Sequence, residues 1–130
     1  MKKICSRCDE ERDAEKDFGW LKAKGSYGSL CKPCRAELAR ISRANDENKR
    51  KLYAYLSSHP CVDCGQTDIR CLEFDHVRGN KTTTISDLIQ RAASWSTIEA
   101  EIAKCEVRCA NCHRIKTNER SGWWRHLFDL

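Results

Sequence analysis

The chain has 130 residues, of which 40% are hydrophobic, 33% are charged and ten are cysteines. This length allows one ordinary domain or two very small ones, and the mean hydropathy of −0.71 argues against a large continuous core. Small units with little hydrophobic core need cross-links such as disulfides or bound metal ions to be stable. The formal net charge of +5 hints at a polyanionic partner without identifying one.

The pairing of the cysteines favours metal binding over disulfides. The chain begins MKKICSRCDEERD, which lacks the apolar segment of a secretory signal, and no apolar run approaches membrane-spanning length. We therefore expect a cytoplasmic protein with no membrane partner, where paired cysteines more often bind metal. Eight of the ten cysteines form four CxxC pairs, which predict two structural Zn²⁺ ions. Each site contributes roughly 10–16 kcal/mol of apparent binding energy, which matches or exceeds the net stability of a typical domain.

Residues 1–34 are predicted to form a zinc finger with four cysteine ligands. Aromatic residues and Gly-Ser turns between its two CxxC pairs predict short strands at 18–23 and 27–31, and Pro33 favours the start of a helix. Such a finger either contacts nucleic acid or serves as a scaffold, and the spacing leaves both open. The predicted zinc ligands are Cys5, Cys8, Cys31 and Cys34.

Residues 35–57 are predicted to form one long connecting helix. Apolar residues recur at helical spacing near both of its ends, the middle has the sequence RANDENKRK, and Ser58-His59-Pro60 ends it. The helix is either a solvated linker or a basic arm that follows phosphates.

Residues 58–120 are predicted to form a second zinc unit. We expect a strand at 69–77, a return strand at 82–85, a short helix from Ser86, a helix opened by a capping box at 96–99, and a final helix over 110–119. Cys71 and Cys105 are predicted to be buried and not to bind metal. The predicted zinc ligands are Cys61, Cys64, Cys109 and Cys112.

Residues 121–130 form a predicted aromatic tail, SGWWRHLFDL. Its large apolar residues cover the core, stack on bases or make a dimer contact, and the sequence does not separate these roles. They are Trp123, Trp124, Leu127 and Phe128.

Within the second unit, the motifs resemble a known family over residues 61–118. The motifs are Cys61-x-x-Cys64, then Leu-Glu-Phe-Asp75-His76-Val77, then Cys109-Ala-Asn-Cys112-His113-Arg-Ile-Lys116-Thr. In this order they resemble an HNH endonuclease of the ββα-metal (His-Me finger) fold. The resemblance implies a small, zinc-stabilised α+β protein with a treble-clef-like HNH unit, joined by a long helix to the N-terminal zinc finger.

The resemblance also implies an activity, the hydrolysis of phosphodiester bonds in double-stranded DNA by nicking or cleavage. By family analogy alone, compact HNH proteins with a finger resemble phage, mobile-element or restriction-type nucleases. His76 corresponds to the general base, and Asp75 and His113 correspond to the ligands of one catalytic Mg²⁺ or Mn²⁺. An ordinary imidazole accepts protons near neutral pH, and Mg²⁺ needs only one or two protein ligands besides water and phosphate. Candidate phosphate-binding residues are Arg78, Lys81, Arg114 and Lys116.

Two features depart from the family pattern. The position of its middle Asn, which mainly braces the loop holding the base, is occupied by Lys104, so that the residue is missing or supplied elsewhere, for instance by Asn80. Asp75 and His76 are also adjacent, and neighbours on a regular strand point to opposite faces. Both serve one site only if the strand bends or ends there, which Arg78-Gly79-Asn80 permits.

Other interpretations of these residues remain open. Asp75 also fits the role of an acidic residue in a turn, and His76 that of a core histidine whose hydrogen bonds are satisfied. His113 also fits the role of a zinc ligand or of a helix cap. Arg78 and Lys81 fit solvated side chains equally well, while His59 and His126 are predicted to be surface residues.

The alternative function is a non-catalytic, double-zinc nucleic-acid-binding protein. A CxxC thiol oxidoreductase fits poorly, because no βαβ pattern surrounds the cysteines. A homodimer would be one route to double-strand cleavage.

Overall fold

The structure is a computed structural model that describes residues 1–125 and 127. The predicted surface residue His126 and the tail residue Phe128 lie outside the described residues. The chain forms two units, Met1–Ala44 and Asn45–Leu130, whose boundary falls inside the longest helix. Together they make a small α+β protein with a four-cysteine cluster in each unit. None of the helices in the described part is long and apolar enough to cross a membrane.

The first unit contains two antiparallel strand pairs. Strand β1 (Lys2–Ile4) pairs with β2 (Glu11–Asp13), and Asp13 then caps the short helix α1 (Ala14–Asp17) by accepting two backbone N–H hydrogen bonds. Strand β3 (Phe18–Leu21) pairs with β4 (Ser26–Cys31), which confirms the two predicted strands. The turn between them closes at Gly25, whose φ of 58° is accessible to glycine without strain. Phe18 packs with Cys5 and Cys31 as a miniature core.

Helix α2 (Lys32–Ser57) is the predicted long helix, beginning three residues earlier so that Pro33 lies in its first turn. Its C-terminal half belongs to the second unit. There the buried Asn48 donates its side-chain amide hydrogen to the Ala93 carbonyl at 3.0 Å. Leu52 and Tyr55 pack against the core of this unit. The polar middle of the helix therefore includes one side chain that is buried and satisfied.

In the second unit, two paired strands are followed by a helix. Strand β5 (Leu72–His76) pairs antiparallel with β6 (Cys105–Cys109), and helix α5 (Ala110–Ser121) follows directly. Between the strands the chain forms helix α3 (Ile85–Gln90) and helix α4 (Trp95–Ile102). Their apolar faces make the main core of this unit, formed by Ile85, Leu88, Ile89, Ile98 and Ile102.

The predicted return strand at 82–85 is wrong. The Thr84 hydroxyl accepts a hydrogen bond from the Asp87 amide and caps helix α3, which begins at Ile85. The helix buries Ile85, Leu88 and Ile89, a spacing that one face of a helix brings together and a strand does not. The partner of β5 is β6, much later in the chain.

Two smaller predictions also fail. The capping box at 96–99 is wrong, because helix α4 begins at Trp95 and the hydroxyl of Ser94 accepts from the Thr97 amide. Cys71 is exposed, in a 3₁₀ turn at Ile69–Cys71, and not buried as predicted. Cys105 is buried at 7% exposure, which confirms its prediction.

Candidate functional site

The two predicted sets of four cysteines are both assembled. In each set the four Sγ atoms lie within 4.8 Å of one another. Four thiolates at this separation suit the tetrahedral coordination of a structural Zn²⁺. The first set joins Cys5, Cys8, Cys31 and Cys34, and the second joins Cys61, Cys64, Cys109 and Cys112.

In each cluster a backbone N–H group donates a hydrogen bond to one cysteine Sγ. Backbone N–H donors, the largest contribution coming from Cys31, lower the pKa of the Cys5 thiol to about 6. In the second cluster the Cys109 Sγ caps helix α5 by accepting from the Cys112 amide at 3.4 Å. Thiolate is the form that binds zinc. A zinc ion held there would fix the first turn of α5, which also presents His113.

Asp75 is buried at 3% exposure and accepts hydrogen bonds from two arginines. Its carboxylate receives Arg108 Nη1 at 2.8 Å and both terminal nitrogens of Arg120, at 2.8 and 2.9 Å. The Arg120 hydrogen bonds are the main cause of a pKa below the ordinary value for this carboxyl. Asp75 is therefore ionised, and its charge is balanced by arginine.

His113 lies between two carboxylates of strand β5. Its Nε2 is 3.5 Å from Asp75 Oδ1, and its Nδ1 is 2.6 Å from Glu73 Oε2. Glu73 and Asp75 are two residues apart on one strand, so they share a face. The structure thus brings the predicted ligands Asp75 and His113 together. Sequence reasoning missed Glu73, although alternation along the strand places it on the Asp75 face.

His76 has a different set of partners from Asp75. It is the last residue of β5 and pairs in register with Cys105. Its Nε2 lies 2.8 Å from Oε1 of Glu101, a carboxylate on helix α4 that is 3% exposed. His76 and Asp75 share no hydrogen-bond partner among the described residues, and Glu101 is a second residue that sequence reasoning missed.

The four candidate phosphate-binding residues differ in whether their side chains already have hydrogen-bond or ion-pair partners. Arg78 donates to the Ala103 carbonyl at 2.6 Å, and Lys116 lies 3.2 Å from Glu119. Within residues 1–125 and 127, the side chains of Lys81 and Arg114 are exposed and make no hydrogen bond or ion pair. These two cations are the more available for an external anion.

Lys104, at the position where the family pattern has Asn, braces the loop after β5. Its ammonium donates to the Asn80 carbonyl at 2.9 Å and to Glu101 Oε2 at 2.8 Å. Its own carbonyl accepts from the amides of Val77 and Arg78. Asn80 takes part through its backbone oxygen.

Helix α5 and the start of the tail line a cleft of about 470 Å³ beside the Asp75–His113 pair. Glu73, His113, Arg114 and Trp123 are among the residues around it. Trp123 is 65% exposed and Trp124 is 42% exposed, with their ring centroids 5.5 Å apart. Of the three roles predicted for these tryptophans, core cover does not agree with this exposure.

Compared with models of known protein families, with curated proteins and with solved structures, the chain has no significant match.

Proposed function

We propose that this protein is an HNH endonuclease that hydrolyses DNA phosphodiester bonds with one divalent metal ion. The observation that carries the proposal is the approach of His113 Nε2 to Asp75 Oδ1 at 3.5 Å, next to the second four-cysteine cluster. A carboxylate and an imidazole at this separation suit a Mg²⁺ or Mn²⁺ ion, which completes its shell with water and phosphate. The order of two strands and a helix, with the second four-cysteine cluster at the start of the helix, agrees with a ββα-metal unit.

Each protein group has a role in this proposal. Asp75 and His113 would hold the ion, which stabilises charge on the phosphate as a Lewis acid when bound. His76 would accept a proton from the attacking water, because a neutral imidazole is a suitable base near neutral pH. Lys81 and Arg114, exposed and unpaired in the described part of the chain, would bind backbone phosphates.

Arg120 competes with the ion for Asp75, because both of its terminal nitrogens donate to the carboxylate. Its side chain is 47% exposed, whereas that of Arg108 is 8% exposed and is also paired with Asp63. Arg120 is therefore the partner that can leave, and a DNA phosphate is a suitable alternative acceptor for it.

Plasmid nicking tests the proposal. Supercoiled plasmid is incubated with the zinc-loaded chain and Mg²⁺, Mn²⁺ or Ni²⁺, for the wild type, His76→Ala and the control His59→Ala. His59 is exposed and stacks on Tyr55, and within the described residues it has no ion pair or hydrogen bond with Asp75 or Glu101. We expect nicking by the wild type and by His59→Ala, and a loss of about 10²–10⁴-fold in His76→Ala. Nicking that survives in His76→Ala would remove this residue as the base.

The second candidate is a non-catalytic, double-zinc protein that binds nucleic acid. The observation that favours it is the pairing of Asp75 with Arg108 and Arg120, which gives this buried carboxylate a structural role without any metal. It predicts DNA binding without nicking in every metal. Both candidates predict two zinc ions per chain, so zinc content does not separate them.

A further inference from the structure

Glu101 is a buried carboxylate that receives hydrogen bonds from three residues. Its Oε1 is 2.8 Å from His76 Nε2 and 3.3 Å from the Thr82 amide nitrogen. Its Oε2 is 2.8 Å from the Thr82 hydroxyl and 2.8 Å from Lys104 Nζ. A carboxylate at 3% exposure needs such partners, because burial of an unpaired charge is strongly unfavourable.

These contacts determine which nitrogen of the neutral His76 ring carries hydrogen. The hydrogen bond from Lys104 is the largest factor that lowers the pKa of the Glu101 carboxyl, to about 2. An ionised carboxylate only accepts hydrogen bonds, so His76 Nε2 must be the donor. The lone pair of the neutral ring then lies on Nδ1, which has no hydrogen-bond partner among residues 1–125 and 127.

We propose that Glu101 is a positioning residue that holds His76 in the Nε2–H tautomer, so that Nδ1 is the atom that accepts the proton of the attacking water. This inference rests on the proposed function of His76 as the base. In that step the water O–H bond breaks and its proton passes to Nδ1, while the water oxygen forms a bond to phosphorus. The bond from phosphorus to the leaving 3′ oxygen breaks, and the released oxyanion takes a proton from solvent. Glu101 stays ionised and stabilises the imidazolium that results.

Lys104 contacts the other carboxylate oxygen of Glu101 from the one that faces His76. Its ammonium links the carboxylate to the Asn80 carbonyl, and its own carbonyl holds the amides of Val77 and Arg78. It therefore ties the loop after β5 to the residue that orients the base. This accounts for a lysine at position 104: the bracing expected of the missing Asn is supplied by an ammonium that also neutralises Glu101.

Proton NMR tests the hydrogen bond without reference to activity. In the zinc-loaded chain with ¹⁵N-labelled histidine, at about pH 8 where an ordinary imidazole is neutral, we expect a slowly exchanging Nε2–H signal that His76→Gln removes. Glu101→Ala should abolish it, and Thr82→Val, which loses only a bond to Oε2, should keep it. A wild type without this signal, or a signal unchanged in Glu101→Ala, overturns the inference. Should Glu101→Ala fail to retain two zinc ions, the wild-type spectrum decides.

Kinetics distinguish an orienting role from a merely structural one. We expect Glu101→Ala to lower kcat for nicking by about 10–100-fold, with KM little changed, a loss of the size found for groups that orient a metal-bound histidine. In a His76→Ala background the same change should have no further effect, because residues that act as a unit are not additive. An equal loss in both backgrounds would contradict orientation through His76.

Failure of the inference is distinguishable from failure of the proposed function. A chain that nicks DNA but lacks the protected Nε2–H proton overturns the inference alone. A chain that shows the proton but nicks in none of the metals overturns the proposed function, and the catalytic role of Glu101 with it.

Discussion

Replacement of Arg120 by methionine should strengthen the binding of a divalent ion to Asp75 and His113. Both terminal nitrogens of Arg120 donate to the Asp75 carboxylate, so the guanidinium competes with an ion that uses this carboxylate. Methionine replaces the aliphatic part of the arginine side chain with a shorter, unbranched apolar one and removes the charge and the donors. Arg108 remains in contact with Asp75, so the buried carboxylate is not left unpaired.

The size of the effect follows from the exposure of the ion pair. The Arg120 side chain is 47% exposed, so solvent screens its attraction to Asp75, but its geometry is bidentate. Such a pair contributes about 1–2 kcal/mol. Because each 1.4 kcal/mol is a factor of ten in affinity, removal of this competitor should lower the Kd for Mn²⁺ by about 5–30-fold.

Titration of Mn²⁺, followed by the electron paramagnetic resonance of the free ion, measures this difference in the zinc-loaded chain without DNA. The matched control is Arg114→Met, since Arg114 lies on the same helix, is exposed and does not contact Asp75. We expect the control to bind like the wild type. Equal Kd values in all three proteins, with Mn²⁺ broadening no signal of His113, would refute Asp75 and His113 as the ligands.

Two further predictions concern stability. Cys109→Ala removes both a zinc ligand and the side-chain cap of α5, so it should lose one zinc per chain and unfold the second unit. The matched control, Cys71→Ala at an exposed position, should keep two zinc ions. Elemental analysis and circular dichroism measure both outcomes. Ile98→Ala, at a fully buried position, should lower the free energy of unfolding by about 2–5 kcal/mol. Ile115→Ala, at 56% exposure, should change it by less than about 0.5 kcal/mol in chemical denaturation with excess zinc.

The sequence predicted the elements that depend on local spacing. The CxxC pairs identify all eight cluster cysteines, because a tetrahedral ion leaves few alternatives at such spacing. The β3–β4 hairpin, the long helix and α5 were also predicted, since turn residues and helix limits are local signals.

The strand that pairs with β5 could not be predicted from local spacing. This partner, β6, is the five-residue segment CEVRC. The charged residues Glu106 and Arg108 in this segment do not suggest a buried strand. Arg108 is nevertheless 7% exposed, because ion pairs with Asp63 and Asp75 compensate its burial. The β-branched residues at 82–84 were misleading, since Thr84 serves as a helix cap and tertiary burial of Ile85 outweighs strand propensity.

The site residues that sequence reasoning missed act through tertiary contacts. Glu101 carried a usable signal, because helical spacing places it on the same face as Ile98, Ile102 and Cys105. A carboxylate on an apolar helix face requires a buried hydrogen-bond partner. Arg120 had no such signal, since an arginine near the end of an exposed helix is ordinary.

Under the proposed function, the arginines around Asp75 lead to the prediction that DNA and the divalent ion bind cooperatively. Arg108 shares its charge with Asp63 and Glu106, whereas within the described residues the only ion pair of Arg120 is with Asp75. A DNA phosphate that attracts Arg120 would free the Asp75 carboxylate, and an ion on Asp75 would release Arg120 for the phosphate. Because coupling between two ligands is reciprocal, DNA should tighten Mn²⁺ binding by the same factor as Mn²⁺ tightens DNA binding. That factor should fall in Arg120→Met, where the shared element is gone; a coupling that is unchanged in this variant would show that Arg120 does not link the two ligands.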